Sequence, residues 1–502
     1  MATASQSAAP RLHFVVSTDV EKQTPELHKF IRSHCMIGKN RGKTLPHRKK
    51  KPKGTLDDAS LLSESVEGSS TTATTATTSH HALLATVPRK LGSELSAIQF
   101  ASAVEPEVVE VVLRFSFIAK KLLFALEPCI FFERRAEAWI APLAFDPAYL
   151  HSMIFSSQYY FDAVLPRSSS LINQRSLPHY LETVKLLRER LAHGSDSAKL
   201  SFTTMAAVMS LAAHALWTGN HAFARYHVEG LRRIVNLRGG VDTFKVHPKL
   251  LMEIFRCDIG IALESGSRCS FFSSPSANEP YPAFPDLKPL LELQGPATAP
   301  SPYQLGLFVD DVADELSRIW EIMSQFCSLI NFVADSEQRI SEVTLLEAVS
   351  SIMYRLIGMK FDAGTNNEAI RLGLLAFSCS VFLQWQRLGL SFPPLVSAFR
   401  DCLATIDSLQ MPPRIALWLF TVGEILLFDT RDDWWLKPAL LVKMSECEIR
   451  SWSEMRHLLK SNLWIDLIHD SPGQLMFNST VIYLDSPTHS DSIVAIGAAK
   501  VV

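Results

Sequence analysis

The sequence predicts an all-α protein: a large multi-helix domain of antiparallel packed helices, preceded by a disordered basic leader and a Ser/Thr-rich linker. Three observations carry this. Apolar residues recur at three- and four-residue intervals from about residue 93 almost to 470, the spacing of a helix face turned to a core. Helix start and stop signals flank several of these stretches. No segment shows the period-two alternation of a half-buried strand. The expected organisation is a leader over 1–54, a linker over 55–92, a helical domain over 93–475 and a tail over 476–502.

The leader contains one short apolar piece, "LHFVVSTDV", followed by "TPELHKFIRSHCM". Thr24 can cap a short helix that begins after Pro25 and sets Leu27, Phe30, Ile31 and His34 at helical spacing. Then comes "KNRGKTLPHRKKKPKG" (39–54), in which Lys39, Arg41, Lys43, Arg48, Lys49, Lys50, Lys51 and Lys53 are interrupted by no acid. Net charge over the 502 residues is only −2, so the remainder is acidic on balance and the positive charge is local. A compact basic cluster on a proline-containing segment is the form importins read, one cation to each acidic slot. The same cations can bind phosphate by counterion release, without reading bases. The next stretch, 59–88, is rich in Ser, Thr and Ala. Such a composition buries too little to offset its ordering entropy and reads as a linker.

Within the helical region, "SLPHYLETVKLLRERLAHG" (176–194) sets Tyr180, Val184, Leu187 and Leu191 on one stripe, with Pro178 near its start and Gly194 past its end. In "FARYHVEGLRRIVNLRGG" (223–240), Val228, Leu231 and Val235 form the stripe, and Arg238 with Gly239 and Gly240 forms the stop. Similar stripes run through 307–334, 343–359, 367–388 and 441–468. The segment 273–304 holds eight prolines and is expected to be extended, dividing the helices into two lobes that share one core.

Several classes of chemistry are not encoded. No phosphate-cradling glycine motif, nucleophile elbow or H-E-x-x-H occurs. The eight cysteines never approach C-x-x-C spacing, so neither a metal nor a cofactor is expected. The start lacks the apolar core of a signal peptide, and the apolar runs 372–385 and 415–423 are shorter than a membrane span. The chain therefore reads as intracellular and reduced, with no membrane partner. Asp146 with His151, and Asp466 with His469 and Asp470, are the carboxylate–imidazole candidates, though such pairs more often satisfy a partly buried histidine. Trp434, Trp435 and Trp464 fit core or helix-end packing better than a ligand pocket.

The stretch "HVEGLRRIVNLRGGVDTF" (227–244) resembles the fungal-specific transcription factor domain, the helical regulatory region of zinc-cluster regulators. Gly230, Leu231, Arg232, Arg233, Arg238, Gly239 and Gly240 carry the likeness. Other stretches are similar in the same order: 143–162, 179–191, 247–268, 368–377, 412–425 and 458–473. The six-cysteine zinc cluster has no counterpart, since residues 1–95 hold only Cys35. The leader instead resembles that of a branch opening with an apolar piece, a helix containing "IRSH" and a basic tail. The resemblance implies a non-enzymatic nuclear transcriptional regulator whose helical body binds a partner or effector. Its expected partners are importin, DNA without sequence readout, and transcriptional co-regulators, with homodimerisation open. Two alternatives stand beside it: a cytosolic helical enzyme or small-molecule binder with a site between the lobes, and a regulator that binds DNA directly through residues 25–36.

Overall fold

The computed structural model describes residues 100–132, 139–164, 175–244, 247–273, 280–292, 309, 311–384, 390–406 and 411–484. The leader helix, the basic cluster and the Ser/Thr linker lie outside the described residues. Within them the protein is almost wholly helical. The helices are α1 (Pro106–Leu123), α2 (Pro147–Val164), α3 (Ser176–His193), α4 (Phe202–Trp217), α5 (His221–Leu237), α6 (Pro248–Ser265) and α7 (Asp314–Ala334). They continue as α8 (Glu342–Gly358), α9 (Asn366–Ser378), α10 (Pro393–Ala404), α11 (Pro413–Leu426), α12 (Asp433–Glu446), α13 (Trp452–Ser461) and α14 (Asp466–Leu484). The one exception to an all-α body is a two-residue parallel pairing of β1 (Ile130–Phe131) with β2 (Ile340–Ser341), too short to leave a periodic signal.

Many of the starts are chemically explicit. Proline occupies the first turn of α1, α6, α10 and α11, where the missing N–H would have no helical partner. Ser201, Asn220, Ser341 and Thr365 cap α4, α5, α8 and α9 with a side-chain oxygen. Ser451 and Glu454 form a full capping box on α13.

Neighbours in sequence are neighbours in space. α2 packs on α1, α3 and α4; α4 packs on α5; α5 and α4 pack on α6. α6 then packs on α8 and α10, and α9 joins α8, α10 and α11, against which α12 and α14 lie. One continuous apolar core runs from Leu126 to Phe477. The Pro-rich segment therefore divides the chain but not the core. Its described part is irregular up to a helical turn at Lys288–Glu292, and it is pinned by Arg355. That guanidinium lies 4.3 Å from the Phe284 ring centroid and donates to the Pro282 carbonyl at 2.6 Å.

Two further corrections concern burial. On α3, Leu187 is buried, but Leu191 is exposed and Thr183 takes the core position, because the buried face is centred on Ser176, Thr183 and Leu187, to one side of the expected stripe. The stretch Asp196–Trp217, unlike 372–385 and 415–423, is apolar and long enough to cross a bilayer by composition. Here 56% of its apolar window is buried inside the protein, against α2, α5 and α6.

α6 is buried on nearly every side, from Leu250 to Leu263, and carries two buried charges. Asp258 accepts hydrogen bonds from the Ser270 N–H (2.7 Å), the Phe271 N–H (3.1 Å) and the Tyr354 hydroxyl (3.0 Å). Arg256 donates to the Leu383 carbonyl at 2.7 Å and to Glu253 at 3.2 Å. Burial pushes the Asp258 carboxyl up to about 6, and its three donors only partly oppose the shift. An unfolded aspartate titrates near about 3.9, so the folded state holds this proton more tightly. The contribution is then complete below about pH 4 and is lost as pH rises through about 6. Asp258→Asn abolishes this titration. The urea midpoint of the parent should fall relative to that of the variant between about pH 4 and 6. A gap independent of pH would refute the assignment.

Candidate functional site

The histidines and carboxylates singled out by sequence are brought into different partnerships from those expected. His469 is fully buried. Its Nδ1 accepts from the Ile465 N–H at 3.1 Å, which places the ring proton on Nε2 and directs it to Ser380 Oγ at 2.9 Å. Ser380 in turn donates to the Phe377 carbonyl at 2.6 Å. The proton runs from histidine to serine, opposite to the direction that activates a nucleophile. Asp466 does not share a proton with His469; it accepts from Arg456 at 2.8 Å and Lys460 at 2.7 Å. Asp470 accepts from Arg456 at 2.9 Å and from the Trp464 indole at 2.8 Å. Trp464 is core, Trp435 donates to Asp432 at 3.0 Å and Trp434 is exposed.

Asp146 and His151 also separate. Asp146 caps α2 through the Tyr149 N–H (3.0 Å) and joins Arg190 of α3 (2.7 Å) and Thr203 of α4. Burial raises this carboxyl, but the bonds from Arg190, Thr203 and Tyr149 outweigh it and hold it below the ordinary value. His151 instead meets His179 of α3, Nδ1 to Nδ1, at 2.7 Å. One ring donates and the other accepts. Burial holds both below the ordinary imidazole range, assisted for His179 by the neighbouring His151. The cysteines offer no accessible thiolate among the described residues: six are buried, and burial pushes Cys129 and Cys402 up to about 11.

The segment 227–244 has a sharper geometry. α5 buries Val228, Leu231 and Val235, as its spacing predicts, together with Ala224 and Ile234. At its end the Gly240 N–H bonds to the Val235 carbonyl (3.0 Å) and the Gly239 N–H to the Asn236 carbonyl (3.0 Å). This is the Schellman pattern, with φ 108° at Gly239 and 88° at Gly240, values that disfavour any side chain. Arg238 crosses the turn, donating to the Leu200 carbonyl at 3.0 Å and lying 5.0 Å from the Phe244 ring centroid. Arg232 and Arg233 flank Glu229 at 4.0 and 3.7 Å. Gly230 lies midway along α5, away from the core.

Sequence reasoning missed Lys249. Its ammonium sits between 5.1 and 5.2 Å from the centroids of Phe124, Phe132 and Trp139, an aromatic box filled by the protein's own cation. Beside it an apolar cleft of about 20 Å³ lies between Phe124, Met252, Leu345 and Phe382, room for one water-sized body. His469 and Asp470 do not line it. Its floor includes the π-helical turn Cys379–Leu383, which ends at Gln384 in the left-handed region with φ 56°.

Residues 131–259 match the model of the fungal specific transcription factor domain. The match begins in β1 and ends inside α6, so it takes in the Asp146 cap, the His151–His179 contact, the Schellman turn and Lys249. Over this stretch the chain is similar to a domain found in fungal transcription factors. The later likenesses at 368–377, 412–425 and 458–473 fall beyond the match. No curated protein and no solved structure matches the chain.

Arg238, Gly239 and Gly240 thus close α5 and tie it to its neighbours. Gly239→Ala forces a side chain into a left-handed conformation and against Thr243, and should destabilise the fold by about 1–3 kcal/mol. Arg238→Ala removes a hydrogen bond and a ring contact, together about 1–2 kcal/mol. Chemical denaturation measures both, and unchanged midpoints would show that the turn is not structural.

Proposed function

We propose that the chain is a nuclear transcriptional regulator whose helical body acts as a partner- or effector-binding module, without a zinc-cluster DNA-binding element. The family match over residues 131–259 is the observation that carries this reading. The polar chemistry inside the body supports it. The imidazole of His469 is spent on Ser380, that of His151 on His179, and the carboxylates of Asp146 and Asp466 on arginine and lysine. Such a body offers surfaces to bind rather than groups to react.

In this reading Lys39, Arg41, Lys43, Arg48, Lys49, Lys50, Lys51 and Lys53 supply importin recognition and phosphate contacts. Binding to DNA is then governed by charge, and sequence choice comes from co-regulators held by the helical body.

Replacing Arg48, Lys49, Lys50, Lys51 and Lys53 by Ala in a fluorescently tagged full-length protein should abolish nuclear accumulation. A variant as nuclear as the parent would refute the import role. In a salt titration, genomic and random duplexes should bind equally. The logarithmic slope should approach about −7 if all eight cations engage phosphate, at about −0.9 for each. A marked preference for one sequence would overturn the charge-only reading and point to residues 25–36.

A further inference from the structure

The outer face of α5 is apolar where the fold needs nothing apolar. Phe223, Tyr226 and Leu237 are 57%, 72% and 74% exposed, and the two rings meet edge to face at 6.2 Å. The inner face, through Ala224, Val228, Leu231, Ile234 and Val235, already covers the core.

Gly230 lies in the middle of that outer face. A Cβ there would meet nothing within 4 Å, so the fold does not exclude a side chain. A mid-helix glycine is destabilising relative to alanine, and nothing among the described residues accounts for it. What glycine does provide is a flat site where another backbone can come close.

The residues around it are disposed symmetrically. Phe223 stands seven residues before Gly230 and Leu237 seven after, each about 10 Å along the axis and on the same side. Tyr226 stands four before and Arg233 three after. A second α5 laid antiparallel across Gly230 therefore sets Phe223 against Leu237 twice and Tyr226 against Arg233 twice. The Arg233 side chain, 3.7 Å from Glu229 of its own helix, is 76% exposed and would meet the partner's ring in a cation–π pairing. Self-complementarity of this kind is what an isologous two-fold interface requires, whereas a foreign helix would have no reason to match it.

The geometry points to an antiparallel homodimer of this chain, with the two α5 helices crossing at Gly230. Sedimentation equilibrium of the full-length protein over a concentration series should then give twice the monomer mass. Gly230→Glu faces two carboxylates on the symmetry axis and should weaken association by about a hundredfold or more. Its melting temperature and helical circular dichroism should be unchanged or improved, because the site is open and glutamate favours helix. Gly230→Cys should lock into a covalent dimer under mild oxidation, while the parent and Asn236→Cys, off the crossing, should not. A parent that is monomeric at all concentrations would overturn the proposal and leave the face to a different protein. A dimer that survives Gly230→Glu and that Gly230→Cys does not lock would overturn it equally.

Discussion

Two opposite charges buried two residues apart on α6 hold the architecture together. Positions two apart on a helix point to nearly opposite sides, so Arg256 and Asp258 cannot neutralise each other. Asp258 must find its partners elsewhere in the chain, while Arg256 pairs with Glu253 on its own helix and adds a carbonyl from beyond it. Arg256 takes the Leu383 carbonyl at the end of the π-helical turn and faces the Phe124 ring at 4.9 Å. Asp258 takes two backbone N–H groups from the segment after α6 and a hydroxyl from α8. A buried charge without such partners is strongly destabilising. α6 can therefore enter the core only when α8, α9 and the 270–271 segment are in place, and this makes one core from helices on both sides of the Pro-rich segment.

The same logic runs through residues 131–259, where several polar residues tie helices together rather than belong to a stripe. Asp146 begins α2 and anchors α3 and α4; Arg238 ends α5 and anchors Leu200; Lys249 begins α6 and enters the Phe124–Phe132–Trp139 box. Apolar stripe positions tolerate exchange among aliphatic residues, because volume and pattern are what they supply. A cap, a left-handed turn or a guanidinium bound to a carbonyl tolerates little.

This division also marks what could be read from the chain alone. The α5 stripe and its double-glycine stop were legible because both are local: periodicity places Val228, Leu231 and Val235 inward, and only glycine suits the turn after Arg238. The partners of the polar groups were not. His469 chose Ser380, 89 positions away, over Asp466 three positions away, and Asp146 chose Arg190 over His151. A buried side chain takes whichever group the packing of helices brings opposite it, and no spacing rule within one helix encodes that. Leu191 failed for a related reason. The face of α3 that its neighbours cover is centred on Ser176, Thr183 and Leu187, to one side of the stripe that Tyr180, Val184 and Leu191 define.

Asp146, Asp258, Asp466 and His469 are committed to holding helices together, which fixes the outward faces of α5 and its neighbours with little freedom to rearrange. Rigid faces lose little entropy on association, so modest apolar patches suffice to bind. If two bodies associate through α5, two basic leaders are carried by one particle. The second leader then meets phosphate at the high effective concentration set by its tether rather than at bulk concentration.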